Sequence, residues 1–352
     1  MYSAAWPLSI QLTILFVSGV LVAFVGVRLA DYSATIARRT GLGQAVTGAL
    51  FLGATTSLSG IITSVTAAAQ GHPELAASNA VGGIAAQTVF LAVADRVYRK
   101  ANLEHAAASD ENMLQGALLI ALLSATLLAA FSPEYAIFGV HPASLLILLA
   151  YGFGQRLVYT AKGQEMWQPK VTEYTQLEEE GDGGPAAGKG SVPMSLLWVR
   201  FAIAALAIGL LGYYLARSGV VIAERTGISE TTLGGLFTAI ATSFPELVTA
   251  IAAVRLGALT LAVSDIMGGN AFDVIFLAVA DIAYRDGSVY HAMGSRPTFL
   301  IMLTILLTSI LLLGLIRREK HGIANIGFES FLLLAVYAGG FLLTVTPMSS
   351  PI

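Results

Sequence analysis

The segment Ala241-Thr242-Ser243-Phe244-Pro245-Glu246 gathers oxygen donors around a backbone break. Pro245 cannot donate a backbone hydrogen bond, and its ring collides with the carbonyl four residues back, so carbonyl oxygens near Ala241 are expected to be freed. Thr242 and Ser243 add hydroxyls, and Glu246 adds a carboxylate. Asp273 follows Glu246 by 27 residues and ends the run Gly268-Gly269-Asn270-Ala271-Phe272-Asp273. Both carboxylates lie in long apolar stretches, where an ionisable group is costly and marks a functional site by default. Each sits roughly 22 Å into its stretch by helical rise. If the two stretches are antiparallel helices, the carboxylates share a depth. An all-oxygen set suits hard cations such as Na⁺ or Ca²⁺ rather than soft metals. The chain shows no hydrolase triad, phosphate loop or zinc motif, so it is not expected to be an enzyme and no cofactor is expected. Any Ca²⁺, Na⁺ or H⁺ bound here is cargo.

The elements that position these residues are membrane helices. Of 352 residues, 56% are hydrophobic and only 12% charged, about half the charge of an ordinary soluble domain. Net charge is −3, with no basic patch bearing interleaved aromatics, so nucleic acid is excluded as a partner. The partners expected are inorganic cations and the lipid bilayer. There is no cysteine, which removes disulfides and thiolate chemistry. Ten stretches are long and apolar enough to span a bilayer: about 8–29, 42–69, 73–98, 112–132 and 143–161, then 196–217, 230–256, 258–284, 297–316 and 324–347. The first lacks a basic leader and is expected to be a retained helix rather than a signal. Between the sets lies a polar stretch, 162–195, containing Glu178–Glu180 and a Gly/Pro-rich run, expected to be a flexible linker. If the termini are outside and the linker is cytoplasmic, 15 basic residues fall inside and 4 outside. That orientation obeys the positive-inside rule, and a prokaryotic plasma membrane is the expected location.

Residues 39–99 align without gaps on residues 225–285, a shift of 186, with 25 of 61 pairs identical. Arg39-Thr40-Gly41 meets Arg225-Thr226-Gly227, and Phe90–Asp95 (FLAVAD) recurs as Phe276–Asp281. Five spans per half is an odd number, so the halves would enter the membrane in opposite senses. The expectation is an all-α membrane protein with ten helices in a 5+5 inverted repeat, halves 1–161 and 196–352. Secondary transporters share this plan, with the substrate site near the midplane.

The ATSFPE and GGNAFD segments resemble the second α-repeat of the calcium/cation antiporter superfamily, which includes sodium/calcium exchangers. The usual pattern there is G-T-S-x-P-E, then G-S-N-x-x-(N/D), with the same 27-residue spacing. The resemblance implies a cation antiporter, with Ca²⁺ exchanged for Na⁺ or H⁺. By position, Glu246 and Asp273 would be the main metal ligands, and Thr242, Ser243 and the carbonyl of Ala239 would serve flanking ion sites. Thr56 and Ser57 hold the matching hydroxyls in the first repeat, whose Gln87 replaces an asparagine. The first repeat departs from the pattern: Ser59-Gly60 replaces P-E, Gly82-Gly83-Ile84 replaces G-S-N, and in the second repeat Gly269 replaces Ser. One of the two expected glutamates is thus missing. Two carboxylates neutralise one divalent ion, or one Na⁺ and one proton, and poorly support several Na⁺ together. Desolvation disfavours the charged form of a carboxylate, so protons are expected to compete with the cation. A proton-coupled exchanger of Na⁺, K⁺ or Mg²⁺, and a non-transporting sensor or partner subunit, are the rival readings.

Several polar residues have blander readings. Asp265 and Asn79, near the inner ends of the eighth and third spans, either line the ion pathway or are helix-start residues. Asn270 is either a ligand or an interhelical hydrogen-bond donor. Asp95 and Asp281 precede Arg99 and Arg285 by four residues, which predicts i,i+4 ion pairs at the membrane boundary. Tyr98 and Tyr284 are expected in an aromatic belt, and the five histidines at the surface.

Overall fold

The computed structural model describes residues 5–107, 109–137, 139–161, 170–173, 175, 192–225, 239–320 and 327–345. Among them the chain is helical, with no β-sheet. The helices are α1 (Leu8–Thr40), α2 (Gln44–Thr56), α3 (Leu58–Ala69), α4 (Pro73–Val97), α5 (Leu103–Ala106), α6 (Asp110–Ala130) and α7 (Pro142–Ala161). Then come α8 (Met194–Arg225), α9 (Ala239–Thr242), α10 (Phe244–Arg255), α11 (Leu259–Ala283), α12 (Val289–Ala292), α13 (Ser295–Arg317) and α14 (Phe328–Val345). Six of these are long and apolar enough to cross a bilayer, and α2 with α3 makes a seventh across a 51° bend. Helix α7 has 20 residues and α14 has 18. The seventh expected span is described only over α9 and α10, because 226–238 lie outside the described residues.

The repeat reaches far beyond the stretch legible in the sequence. Shifting α3, α4 and α5 by 186 residues reproduces the boundaries of α10, α11 and α12, and shifted α6 matches α13 to within one residue. Helix α1 likewise lands on α8, and α7 on α14 within a turn. Helix α1 continues to Thr40, eleven residues past its expected end, and stops where Gly41 takes φ 69°, a left-handed conformation natural to glycine.

Burial sorts the helices into two shells. In their most apolar windows 94% of α4 and 72% of α11 is buried, against 22% of α1. Helices apolar all round and buried belong at the centre. The outer helices turn large apolar side chains outward, among them Phe16, Phe24, Leu128, Phe153 and Leu206. With no water-soluble core demanding it, that exposure is the surface a bilayer covers.

Each inner helix ends in an aspartate that does not pair with the arginine four residues on. The Asp95 oxygens accept from Leu103 N (2.7 Å), Gly327 N (3.3 Å) and Ser330 Oγ (3.0 Å). Those of Asp281 accept from Val289 N (2.9 Å), His141 N (2.8 Å) and Ser144 Oγ (2.7 Å). The partners correspond one for one under the 186-residue shift. Each aspartate therefore satisfies the exposed N–H groups leading into the last long helix of the opposite half. The ion pairs fail because α4 and α11 stop at Val97 and Ala283 and the chain turns extended at Tyr98 and Tyr284, so the arginines leave the helical register. Tyr98 and Tyr284 are themselves buried rather than belted at an interface, and so are His105 and His141. His105 reaches the Arg318 carbonyl (2.7 Å) and Thr172 Oγ1 (2.8 Å).

That last contact involves the described part of the expected linker. Within 162–195, Lys170, Thr172 and Thr175 dock on the body: Arg318 donates to the Lys170 carbonyl (2.7 Å) and to Thr175 Oγ1 (2.8 Å). This piece is fastened to the loops beside α5 and α13, since its polar groups find buried partners there.

Candidate functional site

Two matched breaks meet at the centre. Helices α2 and α3 part at Ser57, and α9 and α10 part at Ser243. Pro245 stands in the first turn of α10, where its missing N–H leaves no helical bond unmade. Ser59 holds the matched place and the break persists there without proline. Upstream of it, Thr47–Gly53 winds as a π-helix, a device that often re-aims backbone at functional sites. The close packing of this stretch on α11 needs glycine: a Cβ on Gly53 would lie 2.7 Å from the Gly269 Cα.

Between the breaks lies a cavity of about 10 Å³, room for one water-sized occupant. Ser57, Gly60, Asn79, Gln87, Thr242, Ser243, Glu246, Asp273 and Phe276 are among its lining. The two carboxylates converge as the spacing predicts, and both are buried. Each is held through one of its oxygens by a donor from the first repeat. Ser57 Oγ donates to Glu246 Oε1 (3.0 Å), and Gln87 Nε2 donates to Asp273 Oδ2 (2.8 Å) and to Ser243 Oγ (3.1 Å). The remaining Glu246 Oε2, Asp273 Oδ1 and Gln87 Oε1 are buried with no hydrogen-bond partner. Unpaired buried carboxylate oxygens are costly. Two such oxygens and one amide oxygen, on residues that line one small space, form a donor set whose chemistry suits a hard cation or a proton.

Other expected ligands are engaged elsewhere. The Ala239 carbonyl accepts from Ser243 N (3.1 Å) and Thr242 Oγ1 (3.1 Å). The Thr242 carbonyl, freed by the break, accepts from Ser59 Oγ (3.1 Å). Thr56 Oγ1 turns back to the Leu52 and Gly53 carbonyls (3.1 and 3.0 Å) and does not line the cavity. Back-bonding to a preceding carbonyl is the ordinary fate of a helical threonine.

Asn79 and Asp265 lie buried at matched positions in the second turns of α4 and α11. Asn79 Nδ2 donates to the Gly60 carbonyl (3.1 Å) and to Ser64 Oγ (2.9 Å). Asp265 Oδ2 accepts from Thr249 Oγ1 (2.7 Å) while Oδ1 is unpartnered, so a third carboxylate stands near the site. Asn270 Nδ2 donates to Thr88 Oγ1 (3.0 Å), which fits the interhelical reading.

Sequence reasoning missed Phe276. It belongs to the repeated FLAVAD run, where it reads as one more apolar match, yet its ring fills the space above residue 60. A Cβ on Gly60 would lie 2.8 Å from that ring. The absent glutamate therefore leaves no vacant pocket.

Residues 10–154 and 196–346 match the profile of the family described as sodium/calcium exchanger protein. The inner membrane protein YrbG of Escherichia coli (strain K12) is 25% identical over 300 residues, covering 85% of this chain and 87% of that protein. The sodium/calcium exchanger MaX1 of Methanosarcina acetivorans is 23% identical over 151 residues, 42% of this chain. The solved sodium-calcium exchanger NCX_Mj, soaked with 10 mM Na⁺ and zero Ca²⁺, matches with a TM-score of 0.68 at 18% identity, over 96% of this chain and 99% of that one, and so shares its fold. With both helical stretches matched on either side of the linker, the chain belongs to the sodium/calcium exchanger protein family.

Proposed function

We propose that the chain is a secondary active antiporter that binds one cation between Glu246 and Asp273 and exchanges Ca²⁺ for Na⁺ or H⁺ by alternating access. The observation that carries this is the convergence of Glu246 Oε2, Asp273 Oδ1 and Gln87 Oε1, all unpartnered, on a cavity for a single occupant. Two carboxylates match one divalent charge, and the oxygens match its hardness. Family membership and the NCX_Mj-like fold support the exchange mode. Thr242 and Ser243 shape the second-repeat wall, and Ser57 and Gln87 orient the carboxylates. In this reading ten spans form two oppositely oriented halves, 1–161 and 196–352, with the termini outside and the 162–195 linker cytoplasmic. The matched breaks then open the site alternately to either side.

The test is ⁴⁵Ca²⁺ uptake into liposomes of purified protein under an outward Na⁺ or H⁺ gradient, beside Glu246→Gln. Uptake that needs one gradient and is lost in the variant supports the reading and names the counter-ion. No uptake under either gradient rejects Ca²⁺. A proton-coupled exchanger of Na⁺, K⁺ or Mg²⁺ is then the second reading, favoured by Gly60, which removes the charge several bound ions would need.

A further inference from the structure

The aspartates that end α4 and α11 hold equivalent positions, but their surroundings differ in charge. At Asp281 the matched neighbours are Tyr290 and Ala143, and Tyr290 Oη lies 3.0 Å from Ser144 Oγ in a neutral hydrogen-bonded group. At Asp95 the same two places hold Glu104 and Glu329. Both glutamates are 1% exposed, and all four of their oxygens are buried with no hydrogen-bond partner. The two carboxyls are close enough to act on each other's charge. Two carboxylates cannot bond without a proton between them. Their placement is built in: a Cβ on Gly314 or on Gly327 would collide with the Glu329 side chain, so glycine on both sides clears the space it fills.

We propose that Glu104 and Glu329 form a second proton-binding site, separate from the cation cavity, whose bound proton fastens the α4–α6 connection to the start of α14. Of the charged groups around the pair, Asp95 faces it from α4 and Glu319 from beyond α13, both raising the cost of a second negative charge. Arg317 stacks on the Phe328 ring (4.9 Å) and Arg318 is committed to the His105 and Lys170 carbonyls. The His105 ring is bonded to the Arg318 carbonyl and Thr172. Both arginines are thus held by other partners, and a proton does the neutralising. Burial first, then Asp95 and Glu329, push the Glu104 carboxyl well above the usual carboxylate range. The sign follows: a group protonated in the folded state but ionised near about pH 4.3 when unfolded lends stability that is complete below that value. It is lost progressively as pH rises towards the folded value.

The experiment uses the full chain in lipid nanodiscs, titrated from about pH 5 to about pH 9, reading the thermal midpoint and the infrared band of protonated carboxylic acid. The wild-type midpoint falls with rising pH. Glu104→Gln, whose amide can donate to Glu329 without a proton, removes one acid from the band and flattens the fall. The midpoint of the variant then exceeds that of the wild type at the alkaline end by at least about 3 °C. Glu329→Gln gives the same flattening and serves if the first variant does not accumulate. Both comparisons are repeated in a Glu246→Gln background, so that titration in the cation cavity is not mistaken for this pair. Parallel profiles in wild type and variant, or an unchanged acid band, overturn the proposal. No ion flux is measured, so the result is independent of which cation the protein carries.

Discussion

The two repeats face each other across the cavity at matched positions, and they contribute opposite things. The second repeat brings Glu246 and Asp273; the first brings Gly60 and Gln87 at the same places. The negative charge of the cavity lining thus comes from one side only. The opposite wall supplies donors instead: Ser57 to Glu246, Gln87 to Asp273 and Ser59 to the Thr242 carbonyl. The two half-sites match in position, and one supports the other. A supporting group that holds one oxygen of each carboxylate leaves the other without a partner on the cavity side, and under the proposed function that oxygen takes the cation, as oriented neighbours tune a metal site.

This asymmetry makes graded predictions. Glu246→Gln or Asp273→Asn removes a charge from the working side, and ⁴⁵Ca²⁺ uptake should fall by roughly 100-fold or more, the scale of breaking a buried charge partnership. Retained uptake in either variant would place the cation elsewhere. Restoring a glutamate to the weaker side is the next largest change. Gly60→Glu alone should collide with Phe276 and cost about 1–3 kcal/mol in thermal stability, whereas Gly60→Glu with Phe276→Ala should recover stability and raise the number of positive charges bound per turnover. Equal stability of single and double variants would show that Phe276 does not guard the position. On the donor side, Gln87→Leu should weaken cation affinity by about 10–100-fold, as loss of an orienting neighbour does. Titration of the whole site should show protons competing with the cation. Apparent affinity should fall as pH falls, approaching about tenfold per pH unit when one proton must leave; affinity flat across neutral pH would remove the proton from the scheme. The smallest effect belongs to Asp265→Asn, which keeps the Thr249 bond and sits outside the lining, and a change of only a few-fold in affinity is expected.

The carboxylate pair and its 27-residue spacing were legible because proline, hydroxyls and charge are rare in apolar helices and so stand out. The repeat was legible over 39–99 for the same reason, through Arg, Asp and Gly in register. It was not legible over α1 or α7, where lipid-facing residues are interchangeable and only the helix boundaries kept the 186-residue offset. The fate of the carbonyls could not be read either. Proline announces that oxygens are freed, but Ser59 and the Thr242 hydroxyl, which take them up, look like any other polar residue in the sequence. Arg99 and Arg285 misled because i,i+4 reasoning assumes the helix continues, and α4 and α11 end first. Phe276 misled because a ring that excludes a side chain leaves no sign in sequence of what it excludes.

The crossed capping of Asp95 and Asp281 bears on how the chain is made. Ser330, one of the groups that satisfies Asp95, is synthesised 235 residues after it, and Gly327 232 residues after it. The first five helices therefore leave the ribosome with a carboxylate that nothing nearby fully satisfies. Asp95 Oδ2 gains these partners only once α14 is in place, so the capping of the first half is completed by the second.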